Sequence, residues 1–253
     1  MQIAWRAFVF PVAALGMLEA WARTVGRGSD AVAPPSGAAL AWAGALIDGS
    51  LLSATGFTLG CAALGLTLGF IAGVLLGTLL GLSPRAARAG FLSIEVLRPI
   101  PSVALIPLAM LVFGFGLRVE VSVVAFATFW PMLVLAQAAA RQVDPRLLEV
   151  ARALQLSAAQ RFVKIVGPAM VPRLFVALRL GVAIALVVAV TVEIAANPSG
   201  MGYSMMIAQQ SLDPALMIAW LFWIGIVGYA VNAGAVALQR QVARRMGEVE
   251  VSA

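Results

Sequence analysis

Apolar residues in this chain gather into six long stretches, about Trp5–Ala22, Ser53–Leu82, Val96–Phe115, Val119–Ala140, Leu174–Ala196 and Ala215–Leu238, and the segments between them carry most of the charge. Each approaches or exceeds the roughly 20 residues with which an α-helix crosses a hydrocarbon core about 30 Å thick. The pattern predicts an all-α membrane protein with six transmembrane helices. Between the first two stretches, Ala33-Pro34-Pro35-Ser36-Gly37 breaks the chain and Ala38–Ile47 forms a short apolar segment. That segment is too short to span, and it reads either as a helix lying at the outer surface or as a linker. The first stretch has a second reading: Arg6, a short apolar run and Ala20-Trp21-Ala22 resemble a cleavable secretory signal. Retention of the first helix is the expectation.

Within the second stretch, Gly65, Gly69, Gly73, Gly77 and Gly81 recur at four-residue spacing, with Gly56 and Gly60 before them. Small residues at that interval let two helix backbones approach closely in a bilayer, where packing replaces the hydrophobic effect. A tight helix–helix seam is expected; a face lining a substrate path is the alternative.

Composition sharpens the picture. Of 253 residues 62% are hydrophobic and 11% charged, against roughly a quarter charged in soluble domains, so a soluble globular protein is excluded. There is no histidine, and Cys61 is the only cysteine; internal disulfides, Cys/His metal sites and histidine-based triads are ruled out. The single lysine, Lys164, precedes Ile165 and follows no glycine-rich loop, so the chain cannot build a phosphate-binding loop. No metal or cofactor is expected on this chain, and if ATP drives it, ATP binds elsewhere.

The net charge of +6 would suggest nucleic acid in a soluble protein; in a membrane protein its placement matters more, and no nucleic-acid partner is expected. With a cytoplasmic N-terminus, Arg6, Arg85, Arg88, Arg98, Arg141, Arg146, Arg152, Arg161, Lys164, Arg173, Arg240, Arg244 and Arg245 lie inside, while Arg23, Arg27 and Arg118 lie outside and Arg179 falls in a span. The bias toward the inside places both termini in the cytoplasm. The basic run Arg240–Arg245 reads as an anchor against anionic lipid.

The most informative polar segment runs from Arg141 to Arg173. Asp144-Pro145 suits a helix start, with Asp capping free N–H groups and Pro tolerated in the first turn. The helix that follows would carry Leu147, Val150, Ala151 and Leu154 on one side, with Arg146, Glu149 and Arg152 turned largely away. Ser157-Ala158-Ala159-Gln160 then matches a capping box, and Pro168 and Pro172 are expected to stop the second helix. From physics alone, a connecting loop and a docking site for a partner remain open.

Here the sequence resembles a known family. Glu149-Val150-Ala151-Arg152-Ala153-Leu154-Gln155, with Ile165-Val166-Gly167-Pro168 and Pro172, resembles the EAA loop of permease subunits in bacterial ATP-binding-cassette (ABC) importers. Glu95-Val96-Leu97-Arg98-Pro99-Ile100-Pro101, Ala104-Leu105-Ile106-Pro107-Leu108 and Gly114-Phe115-Gly116 resemble the third-span signature of the branch serving taurine, alkanesulfonates, nitrate and related anions. Glu193 and Gly200-Met201-Gly202-Tyr203 resemble that branch's pattern after the fifth span, and the likeness covers roughly Asp48–Tyr203. Two positions depart: the family usually has glycine where Gln155 stands and leucine where Gly167 stands. The turn normally made by that glycine is expected at Leu156-Ser157.

The resemblance implies a type I ABC importer permease fold, with 1–52 as first helix and periplasmic segment, 53–240 as permease core containing the coupling loop 141–173, and 241–253 as cytoplasmic tail. It implies a multi-pass protein of the bacterial inner membrane, acting as a homodimer with two ATPase subunits that carry the ATP and magnesium, and with a periplasmic solute-binding protein. Leu147, Glu149, Val150, Ala151, Leu154, Gln155, Ile165 and Pro168 would couple to the ATPase, the first short helix moving as a lever. The cargo would be a small organic or inorganic anion such as a sulfonate, taurine, nitrate or an aromatic carboxylate. A secondary transporter or channel, and less so a membrane enzyme, are the rival classes.

Two charges fall inside the fifth stretch, Arg179 and Glu193, and a charge at bilayer depth costs about 2.5–3.5 kcal/mol on insertion scales. They stand 14 residues apart, about 21 Å along a helix and within roughly 40° around it, so both are expected to face one interior path. Arg179 would attract an anion or snorkel to headgroups; Glu193 would bond a neighbouring helix or meet the binding protein. Glu95 and Arg98, three residues apart, are expected to pair.

Overall fold

The computed structural model describes residues 3–26 and 32–245; Arg27 and positions 246–253 of the basic tail lie outside them. The described residues form α1 (Ile3–Thr24), α2 (Pro35–Ile47), α3 (Ser50–Leu82), α4 (Pro84–Leu97), α5 (Ile106–Phe113), α6 (Leu117–Arg141), α7 (Pro145–Ala153), α8 (Ala158–Arg161), α9 (Gly167–Ala196), α10 (Met201–Gln210) and α11 (Pro214–Arg245), with no strand among them. A 3-10 turn, Ser102–Leu105, precedes α5, and a π turn, Phe162–Val166, joins α8 to α9.

Four helices are long and apolar enough to cross a membrane: α3, α6, the continuous Ala158–Ala196 and most of α11. The third apolar stretch, expected as one helix, is instead broken near its start: α4, which ends at Leu97, and Ser102–Phe113 meet at 81°. Pro99 and Pro101 explain the break, because proline removes a backbone donor and pushes its predecessor out of the helical region. Counted as one crossing, the pair makes a fifth span. The 22-residue α1 has the length of a sixth. It is tied to α2 through Glu19, which accepts from the Ser36 N–H at 2.9 Å and hydroxyl at 2.7 Å and pairs with Arg23 at 2.5 Å.

The centre of the bundle is α3 packed along α6, and the glycines explain why. A Cβ on Gly65, Gly73 or Gly81 would meet Val124, Met132 or Ala140, and one on Gly69 or Gly77 would meet Thr128 or Ala136. The contacts keep one register along both chains, so the helices run parallel with backbones close together. Gly56 and Gly60 have nothing within 4 Å of that position, so the seam begins at Gly65. Antiparallel to this pair, α9 closes a core of Ala62, Leu66, Val123, Val124, Ala189 and Val192.

A second cluster joins α2, α10 and α11 around Leu51, Met201, Ala208 and Trp220. The short segment Ala38–Ile47 is therefore helical, and it packs against α11 through the Trp42–Trp223 ring contact at 6.1 Å. On the opposite surface of α3, Leu64, Leu68, Ile71 and Leu75 are exposed, as a lipid-facing side requires.

Where Pro168 and Pro172 were expected to stop the second short helix, the chain continues without interruption into α9. The Gly167 N–H reaches back to the Phe162 carbonyl, a π-type bond that widens one turn and places Pro168 at the junction, where no donor is required. Pro172, inside α9, forfeits a single bond, which a long packed helix sustains.

Candidate functional site

Three regions hold the residues that sequence reasoning singled out. The first is α7 with its flanks. Asp144 caps it by accepting from the Arg146 N–H at 2.8 Å. At its far end Gln155 takes φ +49°; its N–H donates to the Arg152 carbonyl at 2.9 Å, and the Leu156 N–H to that of Ala151 at 3.0 Å. This is a Schellman cap, which puts a left-handed residue directly after the helix. The turn therefore falls on Gln155 itself and not on Leu156-Ser157. The Ser157/Gln160 capping box is present.

The two sides of α7 differ. Ala151 is 1% exposed, and Leu148 packs with Ala139, Ala140, Val143, Val166 and Met170, so α7 is seated on the bundle. Leu147, Val150 and Leu154 remain 43%, 50% and 65% exposed. Ala151, expected on that outer side, belongs to the seated one. Glu149, Gln155 and Pro168 are exposed and Ile165 is half-buried.

The second region lies at the opposite end of the bundle. Glu193 is 1% exposed and Glu120, on α6, is fully buried. Glu193 Oε2 accepts from the Gly202 N–H at 2.8 Å, and Thr58, on α3, accepts from the Met201 N–H at 3.0 Å while donating to the Ala54 carbonyl at 3.1 Å. These are free first-turn donors of α10, so α9 and α3 cap that helix from two sides. The Asn197 amide donates to Glu120 Oε2. Gly200 turns at φ +96° directly beneath the Glu193 carboxylate, which occupies the place a Cβ would need. Glu193 thus makes the structural bond that was one of its two expected roles. Glu120 was missed: it stands next to the first residue of its apolar stretch and so reads as an end charge.

The third region is the break between α4 and α5. It opens a cavity of about 410 Å³ lined by Arg98 and Ser102 from the break, Ala127 and Trp130 from α6, and Leu180 and Ile184 from α9. Arg98 and Glu95 form no ion pair, contrary to expectation. Arg98 still continues the helical backbone of α4, its N–H donating to the Ile94 carbonyl at 2.9 Å, but its side chain lines the cavity instead of meeting Glu95. Pro99 and Pro101 are exposed in the break, and Pro107, also exposed, opens α5. Arg179 lies elsewhere, in a groove between α9 and α11 beside Val231, Gly234 and Leu238. Arg179 and Glu193 are not brought into one cavity.

Comparison with known proteins places this geometry. Residues 65–248 match the family model described as binding-protein-dependent transport system inner membrane component. A Bacillus subtilis protein named as an aliphatic sulfonates transport permease is 30% identical over 78% of this chain and 71% of its own length. The Escherichia coli taurine transport system permease protein is 29% identical over 70% and 65%, and a Synechocystis nitrate import permease protein 31% over 67% and 62%. The inward-facing MetNI methionine ABC transporter contains a chain that superimposes with a TM-score of 0.64 at 18% identity, over 73% of this chain and 92% of that one, which shows the type I importer permease fold. With its helical bundle, glycine seam and loop between the fourth and fifth apolar stretches, the chain belongs to the binding-protein-dependent inner-membrane components, the permeases of ABC importers, and matches their sulfonate, taurine and nitrate branch.

Proposed function

We propose that this chain forms the path for a small organic or inorganic anion and couples it to a separate ATPase through α7. The observation that carries the reading is the face of Leu147, Val150 and Leu154, exposed on a short capped helix amid Arg141, Arg146, Arg152 and Arg161. An exposed apolar face on a short helix whose other side is seated on the bundle suits a groove on a partner. Because Ala151 and Leu148 seat the helix on the bundle and both ends are capped, a push on α7 is passed to α6 and α9 instead of being lost in a loop. Glu149, Gln155, Ile165 and Pro168 complete the coupling segment.

ATP and magnesium belong on the partner, two copies of which serve a homodimer of this chain, since one copy offers one coupling loop. A periplasmic solute-binding protein delivers cargo at the end of the bundle where α10 is capped. The charge bias orients the loop and both termini to the cytoplasm of a bacterial inner membrane. The anion class follows the sulfonate, taurine and nitrate relatives. In the assembled transporter, Glu149→Arg and Leu154→Asp should abolish ATP-driven uptake while the permease still inserts, with the wild-type complex at the mass of two permeases and two ATPases. Unchanged uptake in both variants, or transport by the lone chain without ATP, would overturn the reading in favour of a secondary transporter.

A further inference from the structure

The cavity at the α4–α5 break presents an unusual set of polar groups. Arg98 carries five N–H donors on a planar, permanently charged fork, and it has no hydrogen-bond or ion-pair partner among the described residues. Ser102 adds a hydroxyl from the same break. Trp130 is 9% exposed, its ring forms part of the wall, and its indole N–H has no acceptor in the protein. Its ring is fixed edge-on by Phe129 at 4.9 Å and Phe126 at 5.6 Å. No acidic residue lines the cavity.

Arg98 stands exposed at the break with its charge unpaired, and the ligand that satisfies a permanently charged, planar fork is an oxyanion. Guanidinium matches carboxylate, sulfonate or nitrate oxygens two at a time, and the neutral Ser102 hydroxyl beside it adds orientation without competing charge. The remaining wall, Leu180 and Ile184 on α9, is hydrocarbon and suits a short alkyl substituent. We propose that this cavity is an anion subsite of the cargo path, with Arg98 holding the oxyanion, Ser102 supplying a further donor, the Trp130 ring walling the site, and Leu180 and Ile184 receiving the alkyl part. The importer reading enters only in calling the bound anion cargo. Arg179 is the natural control: its groove of about 180 Å³ is walled by apolar groups and offers no second side-chain donor.

The test uses the full chain in lipid nanodiscs, titrated with ethanesulfonate and with nitrate, reading the Trp130 emission as the difference between wild type and Trp130→Phe. A saturable change is expected with at least one anion, and none with choline. Arg98→Gln should raise the Kd at least tenfold, Arg98→Lys should recover part of the loss because it keeps the charge without the fork, and Arg179→Gln should leave the Kd unmoved. Ser102→Ala, a milder change, should raise it three- to tenfold and serves if Arg98→Gln fails to insert. A purely linear response in wild type, or an unchanged Kd in both Arg98→Gln and Ser102→Ala, overturns the subsite. ATP-driven uptake by the assembled transporter separates the two claims: binding without uptake in wild type removes the importer reading and leaves the anion site, whereas uptake unaffected by Arg98→Gln removes the site from the path and leaves the importer.

Discussion

Gln155 shows how much one backbone angle decides. At φ +49° a side chain is held against its own carbonyl, at a cost of about 1–2 kcal/mol, because the Schellman bonds from Gln155 and Leu156 end α7 at Ala153 with Leu154 as its cap. Glycine would remove that strain while giving up about 0.5–1 kcal/mol of chain entropy, so Gln155→Gly should raise the thermal stability of the purified chain modestly, and Gln155→Ile should lower it clearly. Equal melting of all three in one detergent would show that the strain is absent. The capping residues Asp144 and Ser157 were legible in the sequence because their bonds are local. The turn was not, because which carbonyl a cap reaches depends on where the helix gives out.

Among the elements, α3 owes its position to absent side chains. A Cβ at Gly73 would stand 2.7 Å from both Met132 Cβ and the Phe129 carbonyl, so neither backbone nor side chain can yield freely. Overpacking of this kind costs roughly 1–3 kcal/mol. Gly73→Leu is therefore expected to lower the midpoint of thermal unfolding or abolish accumulation in the membrane, while Gly60→Leu, with nothing within 4 Å, leaves both unchanged; equal effects would remove the seam. The four-residue spacing announced a seam but could not name its partner, since any helix with small or yielding residues answers the same pattern. The third span misled for a related reason: hydropathy sums along the chain and is blind to an 81° bend, although Pro99 and Pro101 marked where it falls.

For the whole molecule, the charge bias and the described bundle together give a sided prediction. Cys61 is buried, so a cysteine placed at an exposed position reports its own side of the membrane. Ala159→Cys, beside the capping box, should react with an impermeant thiol reagent only in inverted vesicles, and Asp213→Cys, between α10 and α11, only in intact spheroplasts. The reverse pattern would invert the orientation and place α7 away from any cytoplasmic ATPase.

The sequence by itself determined what depends on composition and local spacing: an all-helical membrane chain, the absence of histidine and phosphate-loop chemistry, the caps of the polar loop, and a resemblance strong enough to name a family of importer permeases. Tertiary structure alone decided what depends on distant segments meeting. It brought Glu193, Thr58 and Gly200 together as the cap of α10, buried Glu120 beside Asn197, separated Arg179 from Glu193, and placed Arg98 on the wall of a cavity with Trp130 instead of in an ion pair with Glu95. The physical reason is that a helix fixes the neighbours of a side chain only three or four residues away; every partner beyond that range is set by which helices pack and in what register.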